Sequence, residues 1–461
     1  MSYTILIPAS IDLTTLLETS DHYQNTKKTS TRKKMIDRAA ILLYQIIFQR
    51  QKTKNSQGLD FVRLNSNCLR ALVSDYNIYI RHFLNSGVLE TDDSYSSELH
   101  VSKGYKFSQE VNSKDLCSFK ITDKRLLSKL KNLIKDKHAR KKYAHLLNWF
   151  KRLSVPTGTM RNLMAEGVLD EKSSEFYSLQ SIIVDKLNDN KKSDYWTFKQ
   201  GTSGRLYNPI SNLSKMIRPH LIFDNKYHLV EIDIRNSIPY FSLLLFDSET
   251  IFKYQDLRNI LKKANPDVFN DSTIEDELNQ FQRARGFEIY RDQVLAGNLY
   301  DEVAELWNKK TNRNYDRGSA KKKLLAILNE PNMFDSREKE ALYEQYPNVV
   351  KAFKRLKQGF KKTKKGKGKY RYREGDLRCP FAMFTQGVES WFVLDIVCEE
   401  LKRLHPDCPL FTIHDALYTT PAFSDLVKRV ITDESQKIFG HSLSVKLKDL
   451  GKIAKTKAEK V

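Results

Sequence analysis

No run of about 18 consecutive apolar residues occurs, the length a helix needs to cross a bilayer, and the N-terminus lacks a basic region followed by an apolar core. We therefore expect neither a membrane span nor a secretory signal, and place the chain in the cytoplasm. Cysteine is sparse: Cys68, Cys117, Cys379, Cys398 and Cys408 are the only five in 461 residues. They form no C-x-x-C pair and their number is odd, which argues against a zinc site and a disulfide framework and predicts reduced, mostly buried thiols. Acidic charge is also scarce relative to basic. The 78 Lys and Arg outnumber the 56 Asp and Glu and leave a net charge of +22. That balance favours a polyanionic partner such as nucleic acid over an uncharged metabolite, although an acidic membrane surface would be matched as well. The length allows a large core divided over two or three domains, since single cores stop growing at roughly 250 to 300 residues.

The N-terminal half reads as helical with one small β element. Residues 36–51 carry apolar side chains at helical spacing, a short helix can start at Ser66 as N-cap and run to Val73, and a third spans about Asn77 to Ser86. Asp75 is available near its start, and Gly87 sits where a left-handed C-cap would. Two extended segments follow around a polar tip. The order helix, helix, helix, hairpin is a winged-helix pattern over residues 1–112, in which Arg81, His82, Lys103 and Lys106 would contact nucleic acid. The same element order also serves protein interaction. From 121 to 153 the chain is strongly basic with helical periodicity, and another helix crosses 173–188, so 113–195 reads as a helical arm.

Beyond residue 196 short β-rich apolar runs alternate with long helical stretches, and the chemistry is expected there. Lys354 to Arg373 has many basic residues, no acid and three glycines, which predicts a mobile loop attracted to phosphate. The final KIAKTKAEKV reads as a basic tail that needs no fold. YHLVEIDIRNSIPY (Tyr227–Tyr240) reads as a strand delivering Asp233, and PLFTIHDALYTTP (Pro409–Pro421) as a second strand delivering Asp415. Arg317, Lys321, Leu325 and Asn329 recur every four residues on one slowly drifting helix face, with two cations one turn apart, as an incoming triphosphate needs.

In linear order, TSGRLYNPISNLSKMIRPHL (Thr202–Leu221), EIDIRNSIPYF, RGSAKKKLLAILNEP, FTQGVESWF (Phe384–Phe392) and FTIHDALYTTP resemble the conserved segments of family A DNA polymerases, over the C-terminal half only. The resemblance implies an α+β right-hand polymerase core: a thumb from 113–195 and a palm across 196–461 with fingers inserted at about 248–372. It implies two Mg²⁺ ions, replaceable by Mn²⁺, on Asp233 and Asp415, a division of labour that matches two-metal phosphoryl transfer. Lys321 and Arg317 would act on the triphosphate, Arg205 and Gln386 on the duplex near the primer end, and His414 on the primer terminus. The partners implied are a DNA template and primer, with RNA possible, and nucleoside triphosphates. No exonuclease-like carboxylate set is found, so proofreading is not expected.

The pattern breaks at the nucleotide pocket. Ile238 stands where the family carries a sugar-discriminating Glu, Leu325 where an aromatic is expected and Asn329 where a Tyr is expected. After Asp415 the chain has Ala416 and LYTTP, closer to single-subunit phage-type RNA polymerases. The sequence thus favours an active polymerase making DNA, as in a phage or mobile element, with an RNA-making or primase-like enzyme on the same core as alternative. A non-catalytic winged-helix replication initiator and a metal-dependent nuclease using the same two aspartates are readings from other classes.

Overall fold

Ala39, Ala40, Ile41, Leu42 and Leu43 are all fully buried, so the middle of the helix Thr29–Lys52 (α1) is enclosed nearly all round rather than along one stripe, while its first turns are largely exposed. The computed structural model describes residues 3–52, 61–94, 102–111, 115–165, 174–189, 193, 196–282, 285–332, 335–362, 370–371 and 378–458. The fold is α+β and predominantly helical. It divides into Met1–Lys199 with Asn208–Lys226 and Ile453–Val461 as one unit, and Gln200–Tyr207 with Tyr227–Lys452 as the other.

In the first unit the strand Tyr3–Pro8 (β1) pairs antiparallel with Leu116–Ile121 (β5), and both contact α1. Between them lie β2 (Val62–Arg63), β3 (Leu89–Thr91) and β4 (Gly104–Phe107), forming a small sheet ordered β2-β4-β3. Helices α2 (Ser66–Leu72) and α3 (Tyr76–Asn85) lie between β2 and β3 in sequence. Asn65, not Ser66, caps α2: its side chain accepts from the backbone N–H of Asn67 and Cys68. Asp75 forms no cap hydrogen bond at α3 and instead pairs with Arg38 of α1 at 3.3 Å. Gly87 adopts the expected positive φ of +70°.

Buried Asp37 of α1 accepts from the backbone N–H groups of Thr122 and Asp123 at 2.8 and 2.6 Å. It thereby fixes the end of β5 and the start of α4 (Lys124–Ile134). The basic stretch from 121 to 153 is not one helix. It breaks into α4, α5 (Lys137–Lys142) and α6 (Ala144–Trp149), because Lys135 is extended and the Asp136 carboxylate caps a new N-terminus through His138 and Ala139. Helix α7 (Ser174–Asn188) follows.

The second unit is built on a four-stranded antiparallel sheet of β6 (Val230–Ile234), β7 (Phe411–Ile413), β8 (Ala416–Thr419) and β9 (Val445–Asp449), ordered β7-β8-β6-β9. Val230, Ile232 and Ile234 are buried while Glu231 and Asp233 are half-buried on the other face, the alternation a one-sided core imposes. The segment expected as a single strand to Asp415 is a hairpin: His414, at φ +56°, turns the chain between β7 and β8.

Among the helices that follow β6 are α8 (Ser237–Ser242), α9 (Gln255–Ala264), α10 (Leu299–Thr311), α11 (Arg317–Asn329) and α12 (Pro347–Leu356). Helix α13 (Pro380–Ser390) runs on through a π-helical stretch, Trp391–Val397, into Cys398–Leu404. Pro380–Leu404 has the length and apolarity of a membrane span, but most of it is buried inside the protein. Gly387 lets α13 approach α9 closely, since a Cβ there would lie 2.7 Å from Ile260 Cγ2. Helix α14 (Ser424–Phe439) contacts β6.

The C-terminal segment is helical, as α15 (Leu450–Ala458), because Leu450 and Ala454 find buried positions. Cys68 and Cys117 are exposed, not buried. The basic stretch from Lys354 begins inside α12, and Lys357 is buried with its ammonium on the carbonyls of Ile327 and Glu330, at the end of α11. Lys361–Lys362 and Tyr370–Arg371 pair as short strands; the remainder of that loop lies outside the described residues.

Candidate active site

The register of the sheet brings the two aspartates together. Asp233 lies opposite Ala416, so Asp415, one residue earlier in the β7–β8 turn, is its diagonal neighbour, and the Ile234 N–H donates to the Asp415 carbonyl at 3.2 Å. The Asp415 side chain is oriented by Ser237, whose hydroxyl donates to Oδ2 at 2.8 Å. Burial raises the Asp233 carboxyl above its ordinary value, the Lys448 ammonium opposes this, and the charges of Asp415 and Glu231 add to the rise. A carboxylate pushed up by burial and by like charges gains from a bound cation.

One cation is already supplied by the protein. Lys448 Nζ lies 3.5 Å from Asp233 Oδ2 and is ion-paired with Glu231 Oε1, while the Tyr418 hydroxyl donates to Glu231 Oε2 at 2.9 Å. Burial pulls the Lys448 ammonium down, but its hydrogen bond to Glu231 and the charges of Asp233 and Glu231 outweigh this and hold it above its ordinary value. The two carboxylates offer hard oxygen donors of the class a divalent cation takes, and Lys448 already places one positive charge against Asp233. No group of three or more His, Cys, Asp and Glu side chains fit to hold a metal ion occurs among the described residues.

Arg205 is half-buried and already engaged. Its guanidinium makes a charge-assisted contact from Nε and Nη2 to Oε1 of Glu389, at 2.8 and 2.7 Å. The Glu389 side chain is fully buried. Burial raises its carboxyl to about 7; Arg205 opposes the shift and Asp415 adds to it. Gly204, at φ +86°, lets this loop approach Ser390, whose Cβ would lie 3.2 Å from an added methyl. Gln386 is half-buried within α13, and His414 packs edge-on against Tyr207 with ring centroids 5.7 Å apart.

On α11 the four-residue repeat does form one face. Asp316 and Ser319 make a capping box at its start, Lys321 is exposed, and Leu325 and Asn329 are half-buried. Arg317 is paired with Asp301 of α10. Arg317 and Lys321 both lie over the Tyr300 ring, 5.7 and 5.3 Å from its centroid. Burial pushes the Tyr300 phenol up, Arg317 opposes and Asp415 adds, so this buried ring lies within electrostatic reach of both the basic helix face and the aspartate turn. Asn329 bonds back to the Leu325 carbonyl at 2.8 Å instead of offering a platform. Ile238 is half-buried in the first turn of α8, just past the strand that carries Asp233.

In the first unit, Arg81 is exposed on α3, but three other expected contacts are engaged locally. His82 Nε2 lies 2.7 Å from the Leu16 carbonyl, Lys103 pairs with Asp93 at 3.3 Å and Lys106 with Glu90 at 3.0 Å. Glu231, Ser237, Tyr300, Glu389 and Lys448 were not singled out from sequence. Only Glu231 carried a signal, sharing a strand face with Asp233 two residues away.

No protein-family profile matches the chain, and no curated protein matches it. Among solved structures it is similar to the POL domain of Pol1 from M. smegmatis in complex with DNA primer-template and dNTP, at 14% identity and a TM-score of 0.32. The match covers 70% of this chain and 65% of that one, so the chain spans just under two thirds of the solved structure's length.

Proposed function

We propose that the chain is a template-directed nucleotidyl transferase, a family A-like DNA polymerase without proofreading exonuclease, acting at Asp233 and Asp415. The observation that carries this reading is the juxtaposition of Asp233 on its strand with Asp415 in the turn that leads into the neighbouring antiparallel strand, with a protein cation against Asp233. The five motif segments in polymerase order support it. On the same reading, residues 1–112 are a winged-helix-like nucleic-acid-binding module, 113–195 a thumb, and 196–461 a palm with fingers at about 248–372.

Asp233 and Asp415 would hold two Mg²⁺ ions, with Mn²⁺ able to substitute. Metal bound there supplies activation of a primer hydroxyl and neutralisation of the leaving pyrophosphate. Ser237 keeps one Asp415 oxygen engaged, which limits the rotation of that carboxylate. Arg317 and Lys321, on one helix face over Tyr300, are suited to bind the triphosphate electrostatically. For Arg317 this requires exchange of its Asp301 partner, a half-exposed pair that is worth little to stability. Arg205, held by Glu389, and Gln386 and His414 are assigned to the primer–template end. Ile238 carries an apolar, branched side chain in the first helix turn after the strand of Asp233, and we assign it the exclusion of a ribose 2′-hydroxyl.

The test is extension of a labelled primer on a longer DNA template with Mg²⁺ and either deoxynucleotides or ribonucleotides, alongside Asp415→Asn. Deoxynucleotide-dependent extension lost in the variant is the expected result. Ribonucleotide use moves the assignment to an RNA polymerase or primase. Binding without incorporation on DNA, RNA or unprimed templates favours a replication initiator, and strand cleavage without nucleotides favours a nuclease.

A further inference from the structure

Strand β9 is the edge of the sheet, and its register sets Lys448 opposite Glu231 and Lys446 opposite Asp233. Residues two apart on a strand share a face, so two lysines flank two carboxylates. Lys446 is exposed, whereas Lys448 is half-buried and tethered. Both Glu231 oxygens are occupied, one by Lys448 and the other by the hydroxyl of Tyr418, a residue 1% exposed. Tyr418 thus fixes Glu231, and Glu231 fixes the ammonium 3.5 Å from Asp233 Oδ2.

We propose that Lys448 is a resident counter-cation of the Asp233–Asp415 pair, which disfavours bare divalent metal and favours metal arriving with a nucleoside triphosphate. This rests on the reading of the two aspartates as metal ligands. An ammonium held against Asp233 partly neutralises it and repels a dication in a site where solvent screening is incomplete. A metal–triphosphate complex carries net negative charge, so the same lysine attracts it. The pair also lacks further side-chain ligands among the described residues, and triphosphate oxygens supply what is missing. Lys448 is accordingly a positioning residue that makes metal loading depend on nucleotide.

The experiment titrates the full-length protein with Mn²⁺ and follows the free-ion signal by electron paramagnetic resonance, with and without a non-hydrolysable deoxynucleoside triphosphate. In nucleotide-free protein, Lys448→Met is expected to bind Mn²⁺ about tenfold more tightly than wild type, while Lys448→Arg stays near wild type. The gain in affinity on adding nucleotide should shrink in Lys448→Met. Lys448→Gln, which keeps a donor toward Glu231, gives the same direction if the methionine variant melts early. Unchanged Mn²⁺ affinity in both neutral variants, with Mn²⁺ binding lost in an Asp233→Asn, Asp415→Asn double variant, overturns the proposal alone. Mn²⁺ binding that survives in the double variant overturns the metal-pair reading on which it rests.

Discussion

The hydroxyl of Ser237 donates a 2.8 Å hydrogen bond to Oδ2 of Asp415, tying the first turn of α8 to the turn between β7 and β8. Asn236, at φ +50°, makes the sharp exit from β6 that puts Ser237 within reach. A half-buried carboxylate held at one oxygen presents the other in a defined direction.

Ser237→Ala removes that restraint without adding bulk. Loss of one hydrogen bond to a charged acceptor is worth about 1.5 to 3 kcal/mol, so the single-turnover extension rate should fall about ten- to a hundredfold. Thermal stability should fall by no more than that one bond, and Ser237→Thr should recover part of the rate. A rate unchanged in Ser237→Ala removes Ser237 from the site.

Lys321→Ala and Arg317→Ala should both lower kcat/KM for nucleotide, by roughly ten- to a hundredfold for Lys321. The Arg317 effect should be smaller, because part of its charge is already spent on Asp301. Steady-state kinetics with varied nucleotide at fixed primer–template measures both, and equal values for wild type and Lys321→Ala would exclude the basic face from triphosphate binding.

Glu389 makes stability depend on pH. Its carboxyl titrates near 7 in the folded protein against an ordinary 4.5, so between these values the native state holds a proton that the unfolded chain has released. Stability from this group is complete below about 4.5 and is lost as pH rises through about 7, by about 3 kcal/mol in all. Urea unfolding at pH 5 and pH 8 should show the advantage of wild type over Glu389→Gln shrinking at the higher pH. A constant difference between the two proteins contradicts the assignment.

Gly387→Ala should destabilise the second unit by about 1 to 3 kcal/mol, because the added methyl meets Ile260 Cγ2. Combining it with Ile260→Ala opens the space, so the two losses should be less than additive by more than about 0.5 kcal/mol. Melting temperatures of the four proteins in the cycle decide the matter, and strict additivity would show that α9 and α13 yield independently.

Local order was legible wherever it depends on neighbours in the chain. The segment Tyr227–Tyr240 read as a strand delivering Asp233, and the four-residue repeat from Arg317 to Asn329 marked one helix face. Gly87 was identifiable as a left-handed stop because few other residues adopt that φ without cost. Reading failed where a side chain competes with the backbone pattern. Asp136 split a periodic basic stretch by capping a second helix, and His414 folded an apparently continuous strand into a hairpin.

The sequence by itself determined that Asp233 would sit on a strand, that a basic helix face would lie between it and Asp415 in the chain, and that positive charge would dominate the whole. Only the tertiary structure decided that Asp233 faces the Asp415 turn across β6 and β8, that Lys448 rests against Asp233, and that buried Glu389 captures Arg205. Periodicity reports which face of an element is buried, whereas strand order and register between distant segments are set by the packing of the whole core. The partners that tune a charged side chain come from that packing, and so do the carboxylates' shifted affinities for protons and cations.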